Sequence, residues 1–284
     1  MKNILVPTDF SETADKALNF AVQTARMTSS KVILLHSFEV HENMYVDYLG
    51  LNVEFNNSMI HDTKERLNKI KSKLQQEEGI EMDTIVSIDP LQTAVSEIVD
   101  EYFIDLIVMG TLGASGIAAK IWGSRTSSVI GKTKVPVLAI PASYEWKPPK
   151  RMLLATKNFE ENEGMLDFIF DLAQSYDGGV YTGVFTHKED EKSEAYIKNW
   201  EKVEKYGELL KKEYKGLFLG YTHLFGTDFE ENLQQFLKKY DIDVLAMVTY
   251  QHGFWKSLFN PSKTKQMSFH TEVPLLAIPA GYEG

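Results

Sequence analysis

The chain has 284 residues, 43% apolar and 25% charged, enough for one large domain or two ordinary ones with an ample core. Its net charge of −10, shared between the halves (13 basic and 19 acidic side chains in residues 1–146, 17 and 21 beyond), argues against a nucleic-acid partner held through phosphates. The absence of cysteine excludes disulfides, thiolate metal sites and thiol catalysis. The apolar run at Met1–Pro7 is too short for a signal peptide, and no stretch approaches the roughly 18 apolar residues of a membrane helix. The expectation is a cytoplasmic protein that makes no membrane contact.

Ile4–Val6 reads as a short buried strand closed by Pro7-Thr8-Asp9. Ser11 can cap a helix to about Met27, with Ala14, Ala17, Leu18, Ala21 and Ala25 at helical spacing. Lys31–His36 is a nearly all-apolar second strand, as expected when both faces are covered. Residues 41–58, with Tyr45, Tyr48, Phe55 and four asparagines, have no clear period and read as a loop or short irregular helix belonging to the first half alone. Their aromatics could stack on a base, close a lid, or build an interface or small satellite core. A charged helix follows over 59–77, then a strand over Thr84–Ile88, a helix over 92–102 and a strand over 104–109. A helix over 124–132 and a strand over Val135–Ile140 complete the series. Strands alternating with helices predict a doubly wound, parallel α/β sheet, whose ligands lie beyond the carboxyl ends of the strands.

Tyr144–Lys150, with paired prolines, reads as a linker, after which the pattern restarts. Phe159 falls 149 residues after Phe10, and Val273–Ala280 nearly duplicates Val135–Ala142 at an offset of 138, at which Asp243 also repeats Asp105. This internal duplication predicts two tandem five-stranded Rossmann-like units, residues 1–143 and 151–284, joined by 144–150. The charged run Glu189–Lys215 reads as a solvated helix face with Tyr196, Trp200, Val203 and Leu210 turned inward.

The chemistry concentrates at Gly110-Thr-Leu-Gly113, nine residues, then Gly123-Ser124, between a strand end and a helix start. Glycine permits close backbone approach, and helix-start N–H groups point at negative charge, which together make an anion cradle. In the second copy Gly110, Gly113, Gly123 and Ser124 become Val248, Gln251, Pro261 and Ser262, and Asp9 becomes Asn158. Proline at 261 lacks an N–H that a phosphate would need. Gly131-Lys132-Thr133 looks like the end of a Walker A loop, but position 126 is threonine where glycine is required. His36, His41 and His61 do not pair at a metal-ligand spacing, so structural or solvated roles are expected and no metal site.

Val6-Pro7-Thr8-Asp9 with Gly110-x2-Gly113-x9-Gly123-Ser124 resembles the universal stress protein family, in its ATP-binding branch, as two tandem domains with the motif complete only in the first. The resemblance implies a nucleotide across the strand ends. Pro7, Thr8 and Asp9 would flank the nucleoside, and His36 and Ser37 would lie near adenine. Met109 and Gly110 would lie by the nucleoside, and Gly113, Gly123, Ser124 and Arg125 would hold phosphates, with room for Mg or Mn between them. Where the family often shows Gly-x-Pro after the third strand, this chain has Ile88-Asp89-Pro90, and Asp89 reads first as a helix N-cap and second as a carboxylate near the ribose hydroxyls. The resemblance also implies that the two last strands pair antiparallel within the chain, with a homodimer as a further form. The function expected is ATP-binding regulation rather than catalysis. A slow ATP hydrolase or phosphotransferase, and a nucleotide-free scaffold, stand as alternatives.

Overall fold

The computed structural model describes residues 1–38, 51–111, 124–156, 159–186, 193–225, 229–249 and 272–284. In the first half these form β1 (Asn3–Pro7), α1 (Glu12–Thr28), β2 (Lys31–Ser37), α2 (Leu51–Glu78), β3 (Glu81–Ser87), α3 (Leu91–Glu101), β4 (Leu106–Gly110), α4 (Ser124–Ile130) and β5 (Val137–Ile140). The second half contributes β6 (Arg151–Thr156), α5 (Glu163–Ser175), β7 (Gly179–Thr186), α6 (Ser193–Glu213), β8 (Phe218–Phe225), α7 (Phe229–Lys239), β9 (Val244–Thr249) and β10 (Leu275–Pro279).

The ten strands form one sheet in the order β3-β2-β1-β4-β5-β10-β9-β6-β7-β8. Among the described residues every pairing is parallel except one: β5 and β10 run antiparallel, with Leu276 opposite Leu138. Each half is therefore a five-stranded doubly wound sheet, and the two last strands continue one sheet into the other. The inner strands β1, β4, β5, β10, β9 and β6 are nearly pure aliphatic because helices cover both faces; Ile4, Leu5, Val6, Leu154 and Leu276 are wholly buried.

Several contacts repeat between the halves. Asp105 Oδ2 accepts the N–H groups of Lys2 and Asn3 at 2.5 and 2.9 Å, and Asp243 Oδ2 accepts those of Lys150 and Arg151 at 2.8 and 3.0 Å. In both halves a carboxylate at the start of the fourth strand thus ties down the start of the first. Tyr144 packs on Phe20, and Tyr282 packs on Phe168, with ring centroids 5.8 and 5.4 Å apart. Burial pushes both tyrosine hydroxyls up to about 12.

Ser11 caps α1 as expected, its hydroxyl oxygen accepting the Ala14 N–H at 3.2 Å. Other readings need correction. Residues 51–58 are helical, so α2 starts eight residues before the predicted 59, while residues 41–50 lie outside the described residues. β3 starts three residues early and stops before Ile88, which is 51% exposed. Asp89 is not a cap: Pro90 holds that position without a side-chain bond, and the Asp89 carboxylate accepts from the Ser87 hydroxyl instead. Val203 and Leu210 of α6 are buried as predicted, whereas Trp200 is 40% exposed. Tyr144–Lys150 has no regular structure, yet its aromatics pack: Trp146 meets Phe20 edge-on at 4.8 Å and lies 6.3 Å from Tyr176. The buried Tyr176 hydroxyl lies 2.5 Å from that of Thr24, which in turn donates to the Phe20 carbonyl. These contacts clamp α1 of the first half to the end of α5 in the second.

Candidate functional site

In the order β3-β2-β1-β4-β5, chain direction across the sheet reverses between β1 and β4, which is where a doubly wound sheet opens a crevice at its carboxyl edge. The ends of β1 (Pro7), β2 (Ser37) and β4 (Gly110) meet that edge.

The turn after β1 is built from its own side chains. The Thr8 N–H extends the ladder to the Leu35 carbonyl (2.8 Å), while the Thr8 hydroxyl accepts from the Phe10 N–H (3.0 Å). Asp9 Oδ1 accepts from the Ser11 N–H at 3.1 Å. These bonds hold Phe10 in the left-handed region, φ 60°, an uncommon and costly conformation for a bulky side chain. As a result the Phe10 ring stacks on His36, centroids 4.6 Å apart at 24°, and the Arg66 guanidinium of α2 lies 3.9 Å from the centroid of the same ring. Phe10 and Arg66 were not among the candidate residues. Phe10 could have been noticed, since it aligns the two repeats; nothing in the linear pattern of α2 singles out Arg66.

His36 Nδ1 lies 2.8 Å from the Thr8 carbonyl oxygen. A carbonyl only accepts, so Nδ1 carries the proton and Nε2 holds the lone pair. Burial lowers the His36 pKa below 6.5; the Thr8 carbonyl and Asp9 oppose that shift, while Arg66 and Arg125 reinforce it. Because protonation is harder in the folded state than in the unfolded one, the His36 contribution is fully present above pH 6.5 and is lost as pH falls below it. The melting temperature is therefore expected to decline below pH 6.5, and His36→Gln should flatten that decline. An unchanged acid limb in the variant would show that His36 is not its source.

At the end of β4, Met109 is 5% exposed, with Gly110 beside it. A Cβ on Gly110 would stand 2.6 Å from Thr13 Cγ2 and 2.9 Å from the Thr13 carbonyl oxygen, so α1 and β4 approach as closely as they do only because no side chain is there. The buried Thr126 hydroxyl donates to the Gly110 carbonyl at 2.8 Å, tying the start of α4 to the end of β4. Ser124 and exposed Arg125 open that helix. Pro7, Thr8, Asp9, His36, Ser37, Met109, Gly110, Ser124 and Arg125 thus all lie on elements that meet the carboxyl edge. The Ser37 hydroxyl is engaged by the Asp89 carbonyl at 2.6 Å. Gly113 and Gly123 lie outside the described residues.

The matching edge of the second half is filled differently. Thr156, in the position of Pro7, donates to Glu160 Oε1 at 2.6 Å, and Glu160 stands where Ser11 does. Tyr206 donates to the Glu160 carbonyl at 2.8 Å and packs edge-on against Phe159. A carboxylate at this point opposes an anionic ligand. Among the described residues no group of three or more His, Asp or Glu side chains is placed to hold a metal ion, and no helix is long and apolar enough to cross a membrane.

These features define a doubly wound α/β protein whose first half brings its candidate residues to the carboxyl edge of the sheet. The chain belongs to the universal stress protein family, whose family model matches residues 1–141, and a general stress-response role goes with that membership. Universal stress protein MJ0577 of Methanocaldococcus jannaschii is 29% identical over 153 residues, which cover 49% of this chain and 94% of that protein. The whole chain is similar in fold to the crystal structure of a universal stress protein from Archaeoglobus fulgidus DSM 4304, with a TM-score of 0.71 at 17% identity and 98% of each chain covered. It is also similar to a putative universal stress protein from Pseudomonas aeruginosa UCBPP-PA14, with a TM-score of 0.65 at 15% identity, covering 98% of this chain and 93% of that one.

Proposed function

We propose that this is an ATP-binding stress-response protein with one nucleotide site per chain, on residues 1–143, which the unit at 151–284 supports as a pseudo-dimer partner across the 144–150 linker. What supports this reading is the difference between the two strand-end edges. The first carries Asp9, His36, Arg66 and Arg125 about the edge that Gly110 reaches, and the sequence that follows Gly110 holds the rest of the glycine motif. The second carries the Thr156–Glu160 pair and lacks all three glycines. In the family pattern Pro7, Thr8 and Asp9 flank the nucleoside, and His36 and Ser37 approach adenine. Met109 and Gly110 line the site; Gly113, Gly123, Ser124 and Arg125 hold phosphates, with Mg or Mn between them. The role is binding and signalling, with regulation read out through the surface of the protein.

Calorimetry with ATP tests the proposal. One site per chain is expected, with Gly113→Val weakening binding by tenfold or more and Ser124→Ala by less. Two equivalent sites, or none, would overturn it. Phosphate release by the wild type above the Gly113→Val background would replace the binding role with a hydrolytic one.

A further inference from the structure

The two edges of the ten-stranded sheet differ in their chemistry. At one end, β3 carries Glu81 and Asp83, and Asp83 is paired with Lys31 at 2.5 Å and with Lys71 at 3.1 Å. Lys31 also reaches Glu81 at 3.3 Å. Charges on and around an edge strand are a standard guard against pairing with another chain. At the other end, β8 is Phe-Leu-Gly-Tyr-Thr-His-Leu-Phe, eight residues without a formal charge at neutral pH. Among the described residues it pairs with β7 alone, with a register shift at Leu219, so from Gly220 to Phe225 one side of its backbone has no strand beside it. Three apolar side chains are exposed beside it: Leu219 on the strand is 42% exposed, and Trp200 and Ile197 on the covering helix α6 are 40% and 57% exposed. The Trp200 ring lies 6.3 Å from Tyr221 and 6.2 Å from His223, both on β8.

We propose that β8 is an association edge at which two copies of this chain pair, β8 against β8 and antiparallel. Unpaired backbone donors and acceptors in a row are met by another strand, which sets the occupant's geometry. Charge then selects among strands. Each chain carries −10, so two copies meet with least repulsion along a strand that has no charge, and the acidic β3 edge is a poor alternative for either. A two-fold pairing uses the same edge in both copies, so it closes at a dimer and leaves only the guarded β3 edges free. The mode is the one already used inside the chain, where β5 and β10 join two sheets antiparallel. A two-fold axis normal to the sheet also keeps both α6 helices on one face. The two Trp200 side chains then flank the seam and lose exposed apolar surface.

Sedimentation of the full chain over a concentration series tests this. The expected result is a species of twice 32.3 kDa that grows with concentration. Leu219→Lys should raise the dissociation constant by about tenfold or more, the scale of one unfavourable contact at an edge. Glu81→Gln, on the opposite edge, should leave it unchanged. If Leu219→Lys melts early, Thr222→Lys reads the same edge at a second position. Amide exchange in β8 should slow as the dimer forms. A wild type that stays at 32.3 kDa throughout would overturn the proposal and point to a strand from another protein or to no partner. So would a dimer that both lysine variants retain, or one that Glu81→Gln dissolves.

Discussion

Asp243→Ala is expected to lower stability by about 2–4 kcal/mol, the scale of leaving two backbone N–H donors without their acceptor. The carboxylate is 5% exposed and satisfies three donors at once: the N–H groups of Lys150 and Arg151 through Oδ2, and the Lys147 ammonium through Oδ1 at 2.6 Å. Alanine would leave two part-buried backbone N–H groups without their acceptor where the linker enters β6, and an unmet donor costs more than the bond it loses. The repeat supplies its own reference. Asp105 makes the same two backbone bonds at the start of β1, but its carboxylate is only half-buried and water can replace part of what alanine removes. Asp105→Ala should therefore cost only about 1–3 kcal/mol. Asp243→Asn should fall between, keeping an oxygen for the N–H pair and losing the attraction to Lys147. Urea midpoints of the three variants decide the order. If Asp105→Ala proves as damaging as Asp243→Ala, burial and the third donor are not what make Asp243 important.

The parts of this fold that are legible in the sequence are those governed by local rules. A parallel strand covered on both faces must be apolar along its length, so β1, β2, β4, β5, β6, β9 and β10 stand out, and Ser11 announces α1 because an N-cap needs a side-chain oxygen. The duplication is legible because Asp105 and Asp243, like Phe20 and Phe168, serve the same contacts twice. The start of α2 is not. Leu51, Val53 and Phe55 alternate as a strand would, and Asn52, Asn56 and Asn57 are weak helix formers, so only the covering of β3 by the later part of the helix gives it a reason to form. Trp200 was misread for a related cause. Helical spacing assigns it to the inner face of α6, but β8 is an edge strand and leaves part of that face uncovered.

At the candidate site the sequence shows which groups are available and not how they are held. Asp9, His36 and Gly110 are readable as candidates, but the stack of Arg66, Phe10 and His36 joins three segments and depends on Phe10 being forced to positive φ by the Thr8 and Asp9 side chains. No periodicity encodes such a contact. The glycine motif shows the same limit from the other direction: its residues look alike in sequence, yet Gly110 has a packing reason of its own.

Gly110→Ala is expected to destabilise the protein without nucleotide by about 1–3 kcal/mol, the common cost of overpacking a tight contact. The added methyl would meet the Thr13 backbone carbonyl at 2.9 Å as well as the Thr13 methyl at 2.6 Å, so a rotamer change alone cannot relieve it. Either α1 or the end of β4 must shift, and α1 carries Ser11, whose N–H positions Asp9. Adding Thr13→Ala should recover only part of the loss, because the carbonyl contact remains. At roughly 2–4 °C per kcal/mol for a chain of this size, thermal melting resolves the series. Full recovery in the double variant would assign the strain to the Thr13 methyl, and no loss in the single variant would remove the packing argument. The second half does not contradict it, although buried Val248 stands in the place of Gly110. There the residue aligned with Thr13 is Asn162, which is the N-cap of α5, so the helix that would crowd a side chain begins two residues later relative to its strand. A nucleotide contact is therefore not needed to explain Gly110, and loss of ATP binding in a Gly110 variant would report first on the placement of α1. Gly113, Gly123 and Ser124 carry the test of phosphate binding.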